Sequence, residues 1–421
     1  MTSTTMPHGR PINPVFISTY PPMRCGIATF THALVRAVGE QIGRDAVAVA
    51  AIGDERSRRH FPPEVIRTCV RDSRQCYGEL ASFINGAPYD VVCLQHEFGI
   101  FGGDEGSYIL DTLRALHKPV VATLHTILAD PAPHYHRRLR EVIDACDAVV
   151  VLTPHATRIL ADVYDVKQEK IRLIPHGIPD VSFEDPEPFA RKIGAEGRLV
   201  IMTFGLIGPS KGIEEMIEAM PAVVQRHPEV LYMIVGETHP AIVASQGQAY
   251  RDTLTEKVAR LGLSNHIVFH NRFLSDSELH KYLNACTIYV TPYPNRDQIS
   301  SGTLTYAAGM GKAVVSTPYW HAQDLLANGR GAFADFRSPA SFAAAINDLI
   351  ENREKREEMR RRAFQFGRRM RWSNVASNYL ELFAEVSAER SPMNVSMASL
   401  HNSVTVGSLT DRVPRLGSGH H

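Results

Sequence analysis

The chain has 421 residues, 44% of them hydrophobic, enough to bury a large core and more suited to two domains than to one. Its 45 basic and 45 acidic residues cancel to a formal net charge of +0, which argues against nucleic acid or an acidic polymer as the main partner. Six cysteines (Cys25, Cys69, Cys76, Cys93, Cys146, Cys286) stand singly, without C-x-x-C pairs or the Cys/His spacing of structural zinc, which predicts a reducing, cytoplasmic setting.

No apolar run approaches the roughly 18 to 20 residues of a spanning helix, and the opening MTSTTMPHGR lacks the apolar core of a signal peptide. The expectation is a soluble protein, with peripheral contact to a membrane surface left open.

In chain order, short β-branched or apolar runs alternate with helix-length amphipathic segments, the pattern of βαβ units and parallel sheets. The strand candidates of the first half are 14-PVFISTY-20, 46-AVAVAAI-52, 90-DVVCLQH-96, 119-PVVATLHT-126, 148-AVVVLT-153 and 171-IRLIPHG-177. Those of the second half are 199-LVIMTFG-205, 231-LYMIVGE-237, 267-IVFHNRF-273, 288-IYVTPYP-294 and 313-AVVST-317. Between them, 179-PDVSFEDPEPFARKIGAEG-197 has three prolines, five acidic residues and no periodicity, and reads as a linker. The expected organisation is a doubly wound domain over 1–180, a linker over 181–197, a second such domain over 198–371, a helix over 372–390 and a disordered tail over 391–421. The run 351-ENREKREEMRRRAFQFGRRMRW-372 reads as a helix, either solvated with mixed charge or offering its basic second part to anionic lipid.

In parallel sheets ligands bind beyond the carboxyl ends of the strands, so the loops there are the places to look. After the first strand, 21-PPMRCGIATFTHAL-34 carries Arg24 and Gly26, and Gly26 permits close approach to a helix start with free N–H groups. His96, Glu97 and His125 fall at neighbouring strand ends, where imidazole and carboxylate can bind sugar hydroxyls or move a proton near neutral pH; a lone strand-end histidine reads equally as structural. In the second half 205-GLIGPSKGIEEMIEAM-220 brings Lys211 to a helix start; it is not a Walker A loop. In 297-DQISSGTLTYAAGMGKAVVSTP-318 a polar loop leads through Ser300, Ser301, Gly302 and Thr303 into a helix of small residues. Two helix starts facing one crevice suit a diphosphate.

These loops, with 123-TLHT-126, 171-IRLIPHGI-178 and 234-IVGETHP-240, make the chain resemble the GT-B retaining glycosyltransferases of glycosyltransferase family 4, over about Val15 to Phe383. The resemblance implies two Rossmann-like domains facing a crevice. The C-terminal domain would hold a UDP- or GDP-linked sugar and the N-terminal one a saccharide or lipid-linked acceptor, including the segment at Arg24, His96 and Glu97. It further implies that Lys211 and the backbone of Ser301, Gly302 and Thr303, with Ser300 and Leu304 beside them, meet the diphosphate. Gly236, Glu237, Asn271 and Arg272 would lie near the nucleoside, His125 would face the donor sugar, and Gly26 would lie beside the diphosphate. Two positions depart from the family pattern. The paired glutamates fall on Gln298 and Tyr306 or, shifted by one, on Asp297 and Thr305, so at least one carboxylate is missing. The arginine that usually precedes the lysine is Leu206, unless Arg272 or Arg296 supplies the charge. The expected activity is metal-independent retaining glycosyl transfer in the cytoplasm. A sugar phosphorylase, a nucleotide-sugar epimerase and a weakly active nucleotide-sugar-binding protein are the alternatives.

Overall fold

The computed structural model describes residues 11–54 and 61–402. Seven strands form the first sheet: β1 (Pro14–Ser18), β2 (Ala48–Gly53), β3 (Val65–Val70), β4 (Val91–His96), β5 (Val120–Leu124), β6 (Ala148–Val151) and β7 (Ile171–Leu173). They are parallel, in the order β3-β2-β1-β4-β5-β6-β7. The second sheet, also parallel, contains β8 (Leu199–Phe204), β9 (Val230–Val235), β10 (Ile267–His270), β11 (Ile288–Thr291), β12 (Ala313–Ser316) and β13 (Ala332–Phe333), ordered β10-β9-β8-β11-β12-β13. Every residue of β1, β4, β5, β6, β11 and β12 is buried, because helices cover both faces of each sheet.

The strand order reverses between β1 and β4 in one sheet and between β8 and β11 in the other. Such a switch point opens a crevice at the carboxyl ends of the strands. It places the loops of Gly26 and Glu97 at one crevice wall, and those of Lys211 and Ser301 at the other.

Three expectations change. β3 and β13 are edge strands absent from the sequence reading. The linker is not featureless: Pro188 falls in the first turn of a helix, Glu187–Lys192, where its missing N–H costs nothing, and Ala190 and Ala195 are buried against the second domain. The expected disorder beyond Arg390 is replaced as far as Asn402 by the continuing helix Trp372–Asn402, and 403–421 lie outside the described residues.

That last helix returns to the first domain. The two crossings run side by side: the Ile178 N–H donates to the Met370 carbonyl at 2.8 Å and the Trp372 N–H to the Ile178 carbonyl at 3.0 Å. Val375, Tyr379, Leu380 and Phe383 then pack with Phe16, Phe30 and Leu34 in one buried cluster. The basic run folds as the helix Arg353–Gly367, and its second part is largely engaged within the chain. Arg360, 3% exposed, donates to the Gly311 and Glu184 carbonyls, while Arg368 and Arg371 pair with Asp180 at 2.9 and 3.2 Å.

Because Phe383 is fully buried against Phe16 (centroids 6.2 Å apart), Phe383→Ala should cost about 3–5 kcal/mol, read from the shift in urea-unfolding midpoint; a loss under about 1 kcal/mol would mean that this helix is not integral to the first domain.

Candidate active site

On the second domain, β8 is followed by Gly205 (φ 129°), a tight turn Pro209–Lys211 and Gly212 in the left-handed region (φ 61°). A Cβ on Gly212 would stand 1.9 Å from the Pro292 carbonyl oxygen, so glycine is required for the turn to close onto the loop after β11. The helix therefore starts at Ile213, and Lys211 precedes it rather than opening it. The Lys211 ammonium donates to the Tyr293 hydroxyl at 2.7 Å and lies 4.3 Å from its ring centre. The Tyr293 oxygen lies 2.9 Å from that of Thr303. Burial would raise the Tyr293 phenol, but the adjacent ammonium outweighs it and holds it below the usual tyrosine range, whereas burial pushes Tyr289 and Tyr319 up.

The helix Gly302–Gly309 is capped by Ser301, whose hydroxyl accepts the Leu304 N–H at 3.3 Å. The Ser301 N–H is occupied, donating to Nδ1 of His321 at 2.7 Å, so it is not the free anion donor that the sequence suggested. The N–H groups of Gly302 and Thr303 remain at the helix start. A Cβ on Gly302 would meet Nε2 of His176 at 2.7 Å, which keeps this position bare.

The first domain supplies the facing wall. Gly26 opens the helix Gly26–Ile42 and faces open space: nothing lies within 4 Å of where its Cβ would be. Glu97 accepts from the Thr126 hydroxyl, and burial raises its carboxyl. His125 follows β5 directly, its Nε2 2.9 Å from the Gln95 side-chain oxygen and its carbonyl accepting from the Ser300 hydroxyl at 3.1 Å. Ile299 of the second domain is buried in the first domain's core, so the loop ahead of Ser300 is clamped by both domains. Arg24 reaches across to Glu237 at 2.5 Å. With side chains 58% and 30% exposed, this pair contributes only about 0.2–1 kcal/mol, far less than the apolar seam at Ile299 and Trp372.

Other expected residues fall elsewhere. His96 is fully buried between Phe98 and Phe101, with no hydrogen-bond partner for either ring nitrogen, and does not line the crevice. Arg272 pairs with Glu278 at 2.8 Å instead of standing free. Gly236 (φ 135°) serves the backbone: a Cβ there would lie 1.9 Å from the Gly205 carbonyl oxygen. The Asp297 carboxylate is exposed, the Gln298 amide donates to the Ser300 carbonyl at 2.6 Å, Thr305 bonds the Ser301 carbonyl, and Tyr306 accepts from the Trp372 indole at 3.3 Å. No glutamate pair stands at the site.

Sequence reasoning passed over Tyr293, His176, His321 and Arg251. Arg251, 7% exposed, holds the loop after β9 by donating to the Gly236 carbonyl at 2.8 Å and the Thr238 hydroxyl at 3.1 Å. The PHG run before the linker and the H in YWH were the available signals for the two histidines.

With this geometry in view, the comparisons decide the family. Sequence profiles described as Glycosyltransferase Family 4 and Glycosyl transferases group 1 match residues 26–181 and 186–366. The chain belongs to the group 1 glycosyltransferases. Its relatives include a D-inositol 3-phosphate glycosyltransferase of Acidothermus cellulolyticus (25% identical, over 65% of this chain and 63% of that one). A mannosylfructose-phosphate synthase of Agrobacterium fabrum is 27% identical over 35% of this chain and 32% of its own. The match thus spans less than two thirds of either relative. Among solved structures, Anabaena HepE in complex with UDP superposes with a TM-score of 0.71 at 17% identity, over 89% of this chain and all of that one, and the sucrose-phosphate synthase from Thermosynechococcus elongatus with 0.70 at 15%, over 90% and all. These two show the GT-B fold.

Three buried histidines gather about the domain seam and His96 lies in the first domain's interior, and burial lowers all four: His96 and His176 to about 4, His125 and His321 to about 3. The Nδ1 of His321 accepts a hydrogen bond, independently fixing a neutral ring. His125 is therefore a neutral imidazole, not a group titrating near pH 7. The unfolded chain, with histidines near about 6.5, binds more protons than the folded one below that pH, so stability should fall by several kcal/mol between about pH 6.5 and pH 4. Urea unfolding across that window checks this; a flat profile would contradict the neutral assignment.

Proposed function

We propose that this glycosyltransferase moves a hexose from a UDP- or GDP-linked donor to a saccharide or glycolipid-type acceptor, with retention at the anomeric carbon and without a metal ion, in the cytoplasm or at its membrane face. The observation that carries the reading is Lys211, whose ammonium donates to the Tyr293 hydroxyl beside the start of the helix that carries the Gly302 and Thr303 N–H groups. Among the described residues no carboxylate pairs with that ammonium, so an anion is what completes it.

In the front-face mechanism the bond from the anomeric carbon to the diphosphate oxygen breaks as the acceptor oxygen bonds the same face, and the acceptor proton passes to the departing diphosphate. The leaving group is thus its own base, and the protein's share is positioning and charge stabilisation. Lys211 and the N–H groups of Gly302 and Thr303 bear the growing negative charge. His125, neutral and fixed by Gln95, serves as a hydrogen-bonding wall for the sugar rather than as a proton shuttle. Its relatives' printed activities, among them a phosphatidyl-myo-inositol mannosyltransferase of Mycolicibacterium smegmatis, support a polyol or glycolipid acceptor.

A second reading, a nucleotide-sugar-binding protein with little turnover, draws on the exposed Asp297 and the tethered Gln298. Calorimetric UDP binding with no product from a panel of UDP- and GDP-sugars would select it.

Under the leading reading, Lys211→Ala should lower donor kcat/KM about hundredfold or more, by analogy with loss of an oxyanion donor; activity within about twofold of wild type would remove Lys211 from the site. Asp297→Asn and Gln298→Ala should be assayed together. The reading expects the Gln298 change to cost more, because Gln298 braces the Ser300 carbonyl, and a larger loss from Asp297→Asn would instead assign the sugar contact to that carboxylate.

A further inference from the structure

Three hydrogen bonds tie the loop ahead of the helix Gly302–Gly309 to the start of the helix Trp320–Leu326. The Trp320 N–H donates to the Arg296 carbonyl at 3.1 Å, the His321 N–H to the Gln298 carbonyl at 3.2 Å, and the Ser301 N–H to Nδ1 of His321 at 2.7 Å. His321 makes two of the three, one through its backbone and one through its ring, and it is only 4% exposed.

The ring can take this bond in one form only. A peptide N–H donates, so Nδ1 must present its lone pair and the ring proton sits on Nε2. Ser301 is itself buried, and without that lone pair its N–H would be enclosed and unpaired.

Ser301 in turn sets the start of the helix Gly302–Gly309. The peptide that joins it to Gly302 carries the first of the two N–H groups assigned to the diphosphate, so a rotation at Ser301 re-aims that donor. Its hydroxyl lies 3.2 Å from that of Thr303 and 3.5 Å from that of Tyr293, which accepts from the Lys211 ammonium at 2.7 Å. The helix that carries His321 is held on both sides. Ala322, Leu325 and Leu326 are buried in the second domain's core, while Trp320 stacks on His155 of the first domain, centroids 4.7 Å apart, and the Asp324 carboxylate accepts the His155 backbone N–H at 3.0 Å. A ring mounted there has a fixed place from which to hold Ser301.

We propose that His321 is a positioning residue for glycosyl transfer, its Nδ1 lone pair holding Ser301 so that the Gly302 and Thr303 N–H groups converge with Lys211 on the donor diphosphate. The role rests on the donor reading above. It asks no proton transfer and no charge of His321, only an acceptor at the place of Nδ1. Asparagine supplies one, because its Oδ1 is attached to the same γ carbon. Leucine has the branching without the acceptor, and glutamine carries its oxygen one bond farther out.

Calorimetry with UDP, and steady-state kinetics with a nucleotide sugar that the wild type turns over, compare His321→Asn, His321→Leu and His321→Gln in the full chain. The leucine and glutamine variants should bind UDP about tenfold or more weakly and lose donor kcat/KM to match, while the asparagine variant stays within about threefold of wild type. Urea unfolding of all three separates this from a purely structural role, in which UDP affinity would follow the loss of stability and not the presence of an acceptor. Should the leucine variant lose its cooperative transition, the glutamine variant and the ring tautomer decide. In nitrogen-15 spectra of labelled histidine, with His321 assigned by its absence from His321→Asn, the ring should be neutral with its proton on Nε2. The role is overturned if His321→Leu or His321→Gln binds UDP as tightly as the wild type, if His321→Asn loses as much as they do, or if the ring proton sits on Nδ1. Absence of UDP binding in the wild type would defeat the donor reading and this role with it, whereas unchanged affinity in a folded His321→Leu defeats this role alone.

Discussion

A half-buried ammonium with only hydroxyl partners is the feature around which the rest of the crevice is arranged. Lys211 donates to Tyr293, and Tyr293 bonds to Thr303 at the start of the next helix, so the cation is tied to the backbone that would share its anion. A carboxylate in place of the phenol would neutralise the lysine and compete with a diphosphate. The buried Tyr293 hydroxyl orients the side chain instead. Tyr293 is itself immobilised by near-parallel stacking on Tyr319, with centroids 5.1 Å apart and planes at 13°. The required glycines serve the same end: Gly212 and Gly236 let strand-end loops approach more closely than any side chain would permit, and Gly205 takes a φ of 129°.

Across the crevice the same preference for neutral polar groups recurs at the domain seam. His125, His176 and His321 are each lowered by burial, and each is set by a single partner: the Gln95 oxygen, the Gly177 carbonyl and the Ser301 N–H. Phe30 packs edge-on against His125, His176 and Trp372, at 4.9, 5.0 and 5.3 Å. Lowered by burial, these rings add no charge to the seam near neutral pH. The domains are held by packing at Ile299 and by the returning helix, not by the exposed Arg24–Glu237 pair.

The fold was largely legible because buried parallel strands read as apolar runs, and eleven of the thirteen strands fall on segments the sequence marks as strand candidates. β3 and β13 lie at sheet edges. In β3 only Cys69 is buried, and its sequence, VIRTCV, interrupts the apolar run with arginine and threonine; β13 has two residues, too short for any pattern. At the site, glycine turns and the lysine were visible because they break local patterns. Tyr293 was not, since an aromatic residue just past a strand reads as core and its role depends on a lysine 82 positions away. His96 failed in the opposite direction: a polar residue at a strand end looks functional, yet the phenylalanines that follow enclose it. The occupied Ser301 N–H was equally invisible, because its acceptor His321 comes from the helix Trp320–Leu326 that follows another strand.

The missing glutamate pair is where sequence and structure meet. At the later of its two positions Tyr306 binds the Trp372 indole, and Trp372 also presses against Gly177, where a Cβ would come within 2.2 Å of the ring. That position is therefore committed to the crossing between domains. At the earlier one Gln298 holds the Ser300 carbonyl, and Ser300 donates to the His125 carbonyl on the other wall. Both side chains hold the seam in shape. A glutamate at either place would give up those hydrogen bonds and bring a further carboxylate beside the Trp372 crossing or the Ser300 loop, and a buried carboxylate left unpaired is costly. In this chain the loop ahead of Ser301 is positioned by hydrogen bonds that span both domains, through Gln298, Ser300 and His125.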